Sequence, residues 1–350
     1  MVRGMDLSGV SRDVVLPMRI DRAGQGGPTP GAVRGPHWRC SSRGLYVPAH
    51  VDATRVDQRT VEAAAVLPDE WGAVTGWAGL SWLESVWFDG TPWGGGPVRP
   101  VTLAVGGNRA IRPQPGIATS EERLLDTDMI LVDGVRVTTA VRSVCFEMRY
   151  ARSLRDAVIT LDLACFNDAV SLDEVAAYAA TLPGWTGIPR CRGAIPLARE
   201  NCWSPQEAGM RMCWELDAGM PAPLCNVPVF GPDGKLLGTP DLLDPVAGVV
   251  GEYDSALHLT GQHRSRDERR EHLFRSHGLE YVTMLTGDVA DPTHFMRRLL
   301  AAYDRAADIP VSRRRWTIER PHWWRDTTTV EARRALDADA RRRLLAHRAA

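Results

Sequence analysis

The chain has 350 residues, 44% hydrophobic and 24% charged, with 42 Lys and Arg against 43 Asp and Glu and a formal net charge of −1. This is ordinary globular material with room for two or three domains, and so even a charge balance gives no global argument for nucleic acid. No apolar run reaches the roughly 18 residues of a membrane helix, and "MVRGMDLSGVSRDVVLPMRI" lacks the apolar core and small-residue cleavage site of a secretory signal, so a cytoplasmic protein is expected.

Residues 1–56, with "RAGQGGPTPGAVRGPHWRCSSRGLYVP", are rich in Gly, Pro and Arg and read as loops with short elements ending in a strand at "GLYVP". A helix is expected over "DQRTVEAAAVL", then close packing around "GAVTGWAGLSWL", a Gly/Pro-rich loop, and the strand "VTLAV". "MILVDGVRVTT" predicts a β-hairpin turning at Asp133-Gly134. Three helices follow, over 140–151, 154–168 and 171–182, the last opening with a Ser171–Glu174 capping box. From residue 199 the order expected is α-β-β-β-α-β-α: "SPQEAGMRMCWELDAGM" capped by Ser204 with Pro205 first in the helix, the strands "APLCNVPVF", "KLLGTPDLLD" and "GVVGEYDSAL", the helix "SRDERREHLFRSHG", the strand "LEYVTML" and a closing helix begun by Asp291. Residues 309–350 form a basic tail: positions 310–350 hold eleven Arg against five acidic residues. Within it "WTIERPHWW" is expected to lie over the core as an extended segment.

The seven cysteines, Cys40, Cys145, Cys165, Cys191, Cys202, Cys213 and Cys225, are odd in number and widely spaced, with no C-x-x-C. A disulfide framework or zinc site is not expected, and buried thiols are the simpler reading. Lys235 is the only lysine.

The stretch "GTPDLLDPVAGVVGEYDSALH" sets Asp241, Glu252 and Asp254 into an apolar run. Alternation puts Glu252 and Asp254 on one strand face. A tight turn centred on Val246-Ala247 sets Asp241 opposite Glu252, and one centred on Pro245-Val246 sets it opposite Val250. Both leave Asp241 on the face of Glu252, whereas a three-residue loop would reverse it. Ionised acids so close repel unless one takes a proton or a cation intervenes. Mg²⁺, which takes one or two carboxylates and keeps several waters, resolves that conflict and can activate water for phosphodiester cleavage.

Residues 204–286 resemble the Pro-Asp…Glu-x-Lys, or restriction-endonuclease-like, nuclease superfamily, and within it the branch near very-short-patch-repair endonucleases. The likeness is carried by "SPQE", Pro240-Asp241, "GEYD", the histidine of "ALH" and "RDERREHLFRSHGLEYVTML". It implies a restriction-endonuclease-like α-β-β-β-α-β core at residues 199–308 and a Mg²⁺- or Mn²⁺-dependent endonuclease acting on DNA, with RNA also open. Asp241 and Glu252 would be metal ligands, Asp254 a third ligand or water-orienting base, and Glu207 would reach the metal waters. His258 would act near the scissile phosphate, and Arg264, Arg266 and Arg270 would contact the backbone. The branch carries Glu-x-Asp where the superfamily has Glu-x-Lys, which Asp254 fits; Ser255 stands where Gly is common. More loosely, "RGLYVP" and the helices to about 200 resemble abortive-infection antitoxins with a winged-helix region. An α+β winged-helix-like and helical module, degenerate over 1–56 and antitoxin-like over 57–198, would then precede the nuclease.

The same residues have plainer readings. Glu207 can be only a capping partner, Asp241 a strand-end acid, and Asp267 with Arg270 an i,i+3 surface pair. Trp71, Trp77, Trp82, Trp87 and Trp93 sit among Ala, Gly and Leu and read as core before base-stacking. The second functional reading is a catalytically inactive nucleic-acid-binding or antitoxin-like regulator, and the third a partner of a toxin or phage component.

Overall fold

The computed structural model describes residues 7, 12–107, 111–254 and 261–348, without the side chains of 261–267 and 347. The chain is a mixed α/β protein in two compact units, one of residues 1–152 and 173–193, the other of 153–172 and 194–350.

In the first unit, β1 (Trp38–Ser42) and β2 (Leu45–Pro48) form an antiparallel hairpin. Among the described residues before Val56 there is a 3₁₀ turn at Ala32–Arg34 and no α-helix. Next come α1 (Val56–Ala64), β3 (Ala73–Thr75), α2 (Gly76–Trp82), β4 (Val101–Ala104), β5 (Ile117–Ser120), β6 (Met129–Val132), β7 (Val135–Thr138) and α3 (Ala140–Tyr150). Strands three to seven make one mixed sheet in the order β5-β4-β3-β7-β6. The Asp-Gly turn forms as expected: Asp133 and Gly134 have φ of 45° and 71°, the left-handed pair that matches strand twist in a two-residue hairpin. Of the five tryptophans expected in the core, Trp77 and Trp82 are 1% and 0% exposed, Trp71 and Trp93 are half-buried, and Trp87 is 42% exposed.

The helix α4 (Leu154–Phe166) packs in the second unit, and the chain then returns to the first through most of α5 (Leu172–Ala180) and α6 (Ile188–Ala194). The physical tie of α4 is an ion pair between Asp162 and Arg211, 2.7 Å apart with both side chains fully buried. Arg211 lies on α7 (Pro205–Met212), which continues as a π-helical turn over Cys213–Asp217.

Two of the expected strands are each split. "APLCNVPVF" becomes β8 (Leu224–Cys225) and β9 (Val229–Phe230), and "KLLGTPDLLD" becomes β10 (Leu236–Gly238) and β11 (Leu242–Asp244). Asn226, at φ 50°, and Pro240 mark the breaks, since neither conformation continues a ladder. The halves go to different sheets: β9 pairs with β10, while β8 and β11 join β12 (Val249–Asp254). The chain continues through α8 (Gly261–Ser276), β13 (Glu280–Leu285), α9 (Thr293–Ala307), α10 (Val330–Arg334) and α11 (Ala338–Leu344).

The central sheet of this unit runs β13-β12-β11-β8, with β12 parallel to β13 and antiparallel to β11. Alternation divides its side chains between two layers. Leu242, Val249, Val282 and Met284 pack with Met210, Trp214 and the Phe295–Ala306 face of α9. Leu243 and Val250 pack with Phe274 of α8 and with Trp316 and Ile318. Helices therefore cover both faces, and the close fit leaves no room for a side chain at residue 251: a Cβ on Gly251 would lie 2.8 Å from the Trp214 ring.

The arginine-rich C-terminal residues are folded onto the second unit. Thr317 exchanges both backbone hydrogen bonds with Phe230, at 2.8 and 2.9 Å, so this segment does lie extended over the core. Arg333 is fully buried and donates to Asp168 and to the carbonyls of Thr327, Cys165 and Glu200. Among the described residues, no helix is long and apolar enough to cross a membrane.

Candidate functional site

The turn between β11 and β12 decides the placement of the acids. Leu242 faces Gly251, Leu243 faces Val250 and Asp244 faces Val249. Continuing that register by one residue sets Asp241 opposite Glu252, the first of the two tight-turn alternatives. Asp244 enforces the turn by accepting the backbone N–H groups of Val246 and Ala247 at 2.8 and 2.9 Å. The alternation that places Leu243 and Val250 beneath α8 places Asp241 and Glu252 on the same side. Directly opposed residues have Cβ atoms about 4.5–5.5 Å apart.

Each acid has a distinct environment. Glu252 is 9% exposed and its Oε1 lies 2.8 Å from Nη2 of Arg270 on α8. The same guanidinium donates to the carbonyl of Thr239, just before the break that carries Asp241. Asp241 accepts the Tyr253 backbone N–H at 2.7 Å, and burial pushes its carboxyl up to about 6 despite that bond and the nearby Arg270 charge. Glu207, on α7, accepts from the Trp203 N–H at 2.9 Å and from Asn226 Nδ2 at 2.7 Å. Burial, and then the charge of Asp241, push it to about 8. Ser204 does cap the helix by accepting the Glu207 N–H at 3.1 Å, but the Glu207 carboxylate turns to Trp203 and Asn226 instead of closing a capping box. Its unfavourable interaction with Asp241 is that of neighbouring like charges in a low-dielectric site.

Asp254 stands apart. It shares the strand face of Glu252 but is exposed, and its carboxylate makes no hydrogen bond or ion pair among the described residues. Lys235 is in an exposed turn, paired with Asp233 at 2.9 Å, and its side chain is 84% exposed. His258 and Ser255 lie outside the described residues, as do the side chains of Arg264, Arg266 and Asp267. Arg270, expected to touch phosphate, is engaged with Glu252.

Among the described residues no group of three or more His, Cys, Asp or Glu converges to hold a metal ion. Of the three strand acids, Asp241 and Glu252, the expected metal ligands, share a side of the sheet, and Asp254 sits at the exposed end of β12. A pair of hard carboxylate donors still fits Mg²⁺, which fills its octahedron largely with water.

Two neighbours of the acids had gone unremarked in the sequence. Asn226 reaches Glu207 only because β8 stops at a left-handed residue, which the Asn between Cys225 and Val227-Pro228 could have signalled. Tyr281 of β13 has its phenol pushed up by burial and then by the Glu252 charge, and alternation in "LEYVTML" could have placed it opposite Val250. No protein-family model, no curated protein and no solved structure matches the chain.

Proposed function

We propose that the C-terminal unit is a divalent-metal-dependent phosphodiesterase acting on nucleic acid, DNA first among the candidates, built on a restriction-endonuclease-like core. The observation that supports it above all is the β11–β12 register, which sets Asp241 opposite Glu252 under α8. The order α7, β8, β11, β12, α8, β13, with the small β9–β10 hairpin between β8 and β11, is the topological support for this reading.

In this reading Asp241 and Glu252 would hold Mg²⁺ or Mn²⁺. When bound, that ion supplies Lewis acidity and lowers the pKa of a water. Asp241 gives up its proton near pH 6, so it is available as an anionic ligand at neutral pH. Burial and the charge of Asp241 raise Glu207, and Asn226 orients it beside the acids, where it would reach waters on the ion. Arg270 balances Glu252 and can turn toward a phosphate when a metal takes that carboxylate.

The test is cleavage of plasmid and of single-stranded DNA with Mg²⁺ or Mn²⁺. Asp241→Asn and Glu252→Gln should each slow cutting by at least about a hundredfold. Persistent cutting in both removes the proposal. The Arg270–Glu252 ion pair favours a second reading, a nucleic-acid-binding regulator whose acids are neutralised internally. Metal-independent binding with no cutting would select it.

A further inference from the structure

Near the acids, within the same unit, Trp203, Asn226, Trp323, Trp324, Arg325 and Arg343 help to line a cavity of about 550 Å³. That volume suits a ligand of nucleotide size. Its aromatic wall is braced from behind. Phe230 meets Trp323 and Trp324 edge-on at 6.0 and 5.2 Å between ring centroids, and the two indoles meet each other at 5.7 Å. This packing fixes the rings yet leaves Trp323 55% exposed.

Two charges at the cavity have no internal task. Arg325 and Arg343 are exposed and make no hydrogen bond or ion pair among the described residues. Their sequence neighbours Arg320, Arg333, Arg341 and Arg348 are all engaged with acids, carbonyls or side-chain oxygens. Asn226 of the lining ties the cavity to the acids. Asn226, 2% exposed, donates through Nδ2 to the Asn201 carbonyl and to Glu207, while its buried Oδ1 has no hydrogen-bond partner.

We propose that this cavity binds a nucleotide: its base stacks on the Trp323–Trp324 wall, and Arg325 and Arg343 hold the phosphates. Base stacking on an aromatic ring beside a guanidinium is the recurrent chemistry of unpaired nucleic acid recognition. Because Asn226 also holds Glu207, an occupied cavity would set the nucleotide's sugar-phosphate next to the acids. The assignment of the ligand to a nucleic-acid strand rests on the phosphodiesterase reading; the cavity's affinity for a nucleotide does not.

The full-length protein, in EDTA so that no metal-dependent step intervenes, would be titrated into a labelled single-stranded deoxyoligonucleotide and followed by fluorescence anisotropy. Competition with deoxynucleoside 5′-monophosphates identifies the source: displacement at low concentration marks a free nucleotide, and resistance to displacement marks a strand. Arg325→Gln with Arg343→Gln should weaken strand binding about tenfold and reduce the salt slope by about 1.4, at about 0.7 for each single-strand phosphate lost. Trp323→Leu should weaken it about tenfold with the slope unchanged. Arg325 and Arg343 are exposed and make no ion pair among the described residues, so that variant spares the fold, and an unchanged urea midpoint checks Trp323→Leu, whose ring packs on Phe230. Absence of saturable binding to either probe, or variants that bind as the wild type does, would overturn the proposal. Cutting that survives all these variants unchanged would keep the phosphodiesterase reading and remove this one. Saturable binding lost in the variants, with no cutting by the wild type, would do the reverse.

Discussion

In the N-terminal unit four buried or half-buried acids each have a guanidinium beside them: Glu62 with Arg39, Glu122 with Arg149 and Glu147 with Arg99, all at 2.5 Å, and Asp128 with Arg142 at 3.6 Å. In the C-terminal unit, Glu207 and Asp241 make no ion pair among the described residues, and Arg270 pairs with Glu252. The protons record the difference. At Glu122 burial raises the pKa, but Arg149 and the Tyr150 hydroxyl outweigh it and hold the carboxyl below its ordinary value. Glu207 and Asp241, buried with no ion pair among the described residues, rise to about 8 and about 6. An acid paired with its own guanidinium serves the fold. An unmatched one keeps a proton that a cation can replace.

The contrast is broken or sharpened most strongly at a matched pair in the second unit. Arg211→Met would strand Asp162 in the interior and should cost about 3–5 kcal/mol in urea unfolding; a loss below 1 kcal/mol would mean that pairing does not decide stability here.

The unmatched Glu207 should respond with the opposite sign. Below pH 4.5 the folded and unfolded chains both carry its proton. Between 4.5 and 8 the native state keeps a proton the unfolded chain has released, so stability declines as pH rises, and above 8 the loss is complete. Glu207→Gln removes that penalty while keeping an oxygen for Asn226 and Trp203. At pH 9 it should be more stable than wild type by on the order of 3 kcal/mol, and near-neutral at pH 4. Parallel unfolding profiles at the two pH values would refute the raised pKa.

Gly251→Ala tests the opposite layer of the same strand. The Trp214 ring has no space to yield, and overpacking of this kind costs about 1–3 kcal/mol. Unchanged thermal and urea midpoints would show that the ring moves aside.

Arg270→Gln addresses the cation paired with Glu252. Its guanidinium is partly exposed, so the stability cost should be only about 1 kcal/mol. Calorimetry with Mn²⁺ is the sharper readout: heat equal to or greater than wild type supports a carboxylate pair that binds metal, and absence of heat in both supports the internally neutralised regulator. The smallest effect belongs to Lys235→Ala. The exposed Lys235–Asp233 pair should be dispensable for stability and for cutting alike, and a loss of cutting would show that this lysine reaches the site.

Much of the local structure was legible because it depends on neighbouring residues. The Asp133-Gly134 turn, the Ser204 cap and the alternation through β12 follow from turn chemistry, capping and strand period. The breaks at Asn226 and Pro240 were written in residues that read as strand interior, since apolar runs on both sides mask a change of sheet. Asp254 had the right parity but the wrong depth, because alternation gives a face and says nothing of where a strand leaves the core.

By itself, the sequence determined that the chain is a mixed α/β protein and that Asp241 and Glu252 share a strand face under either tight turn, because periodicity and turn length are local properties. Tertiary structure alone decided which acids go unmatched, that Arg270 serves Glu252, that α4 and the arginine-rich C-terminus belong to the unit carrying these acids, and that two late tryptophans wall a cavity beside Glu207. Each of those depends on long-range burial, which sets the cost of a charge and the meeting of distant side chains, and no spacing along the chain encodes it.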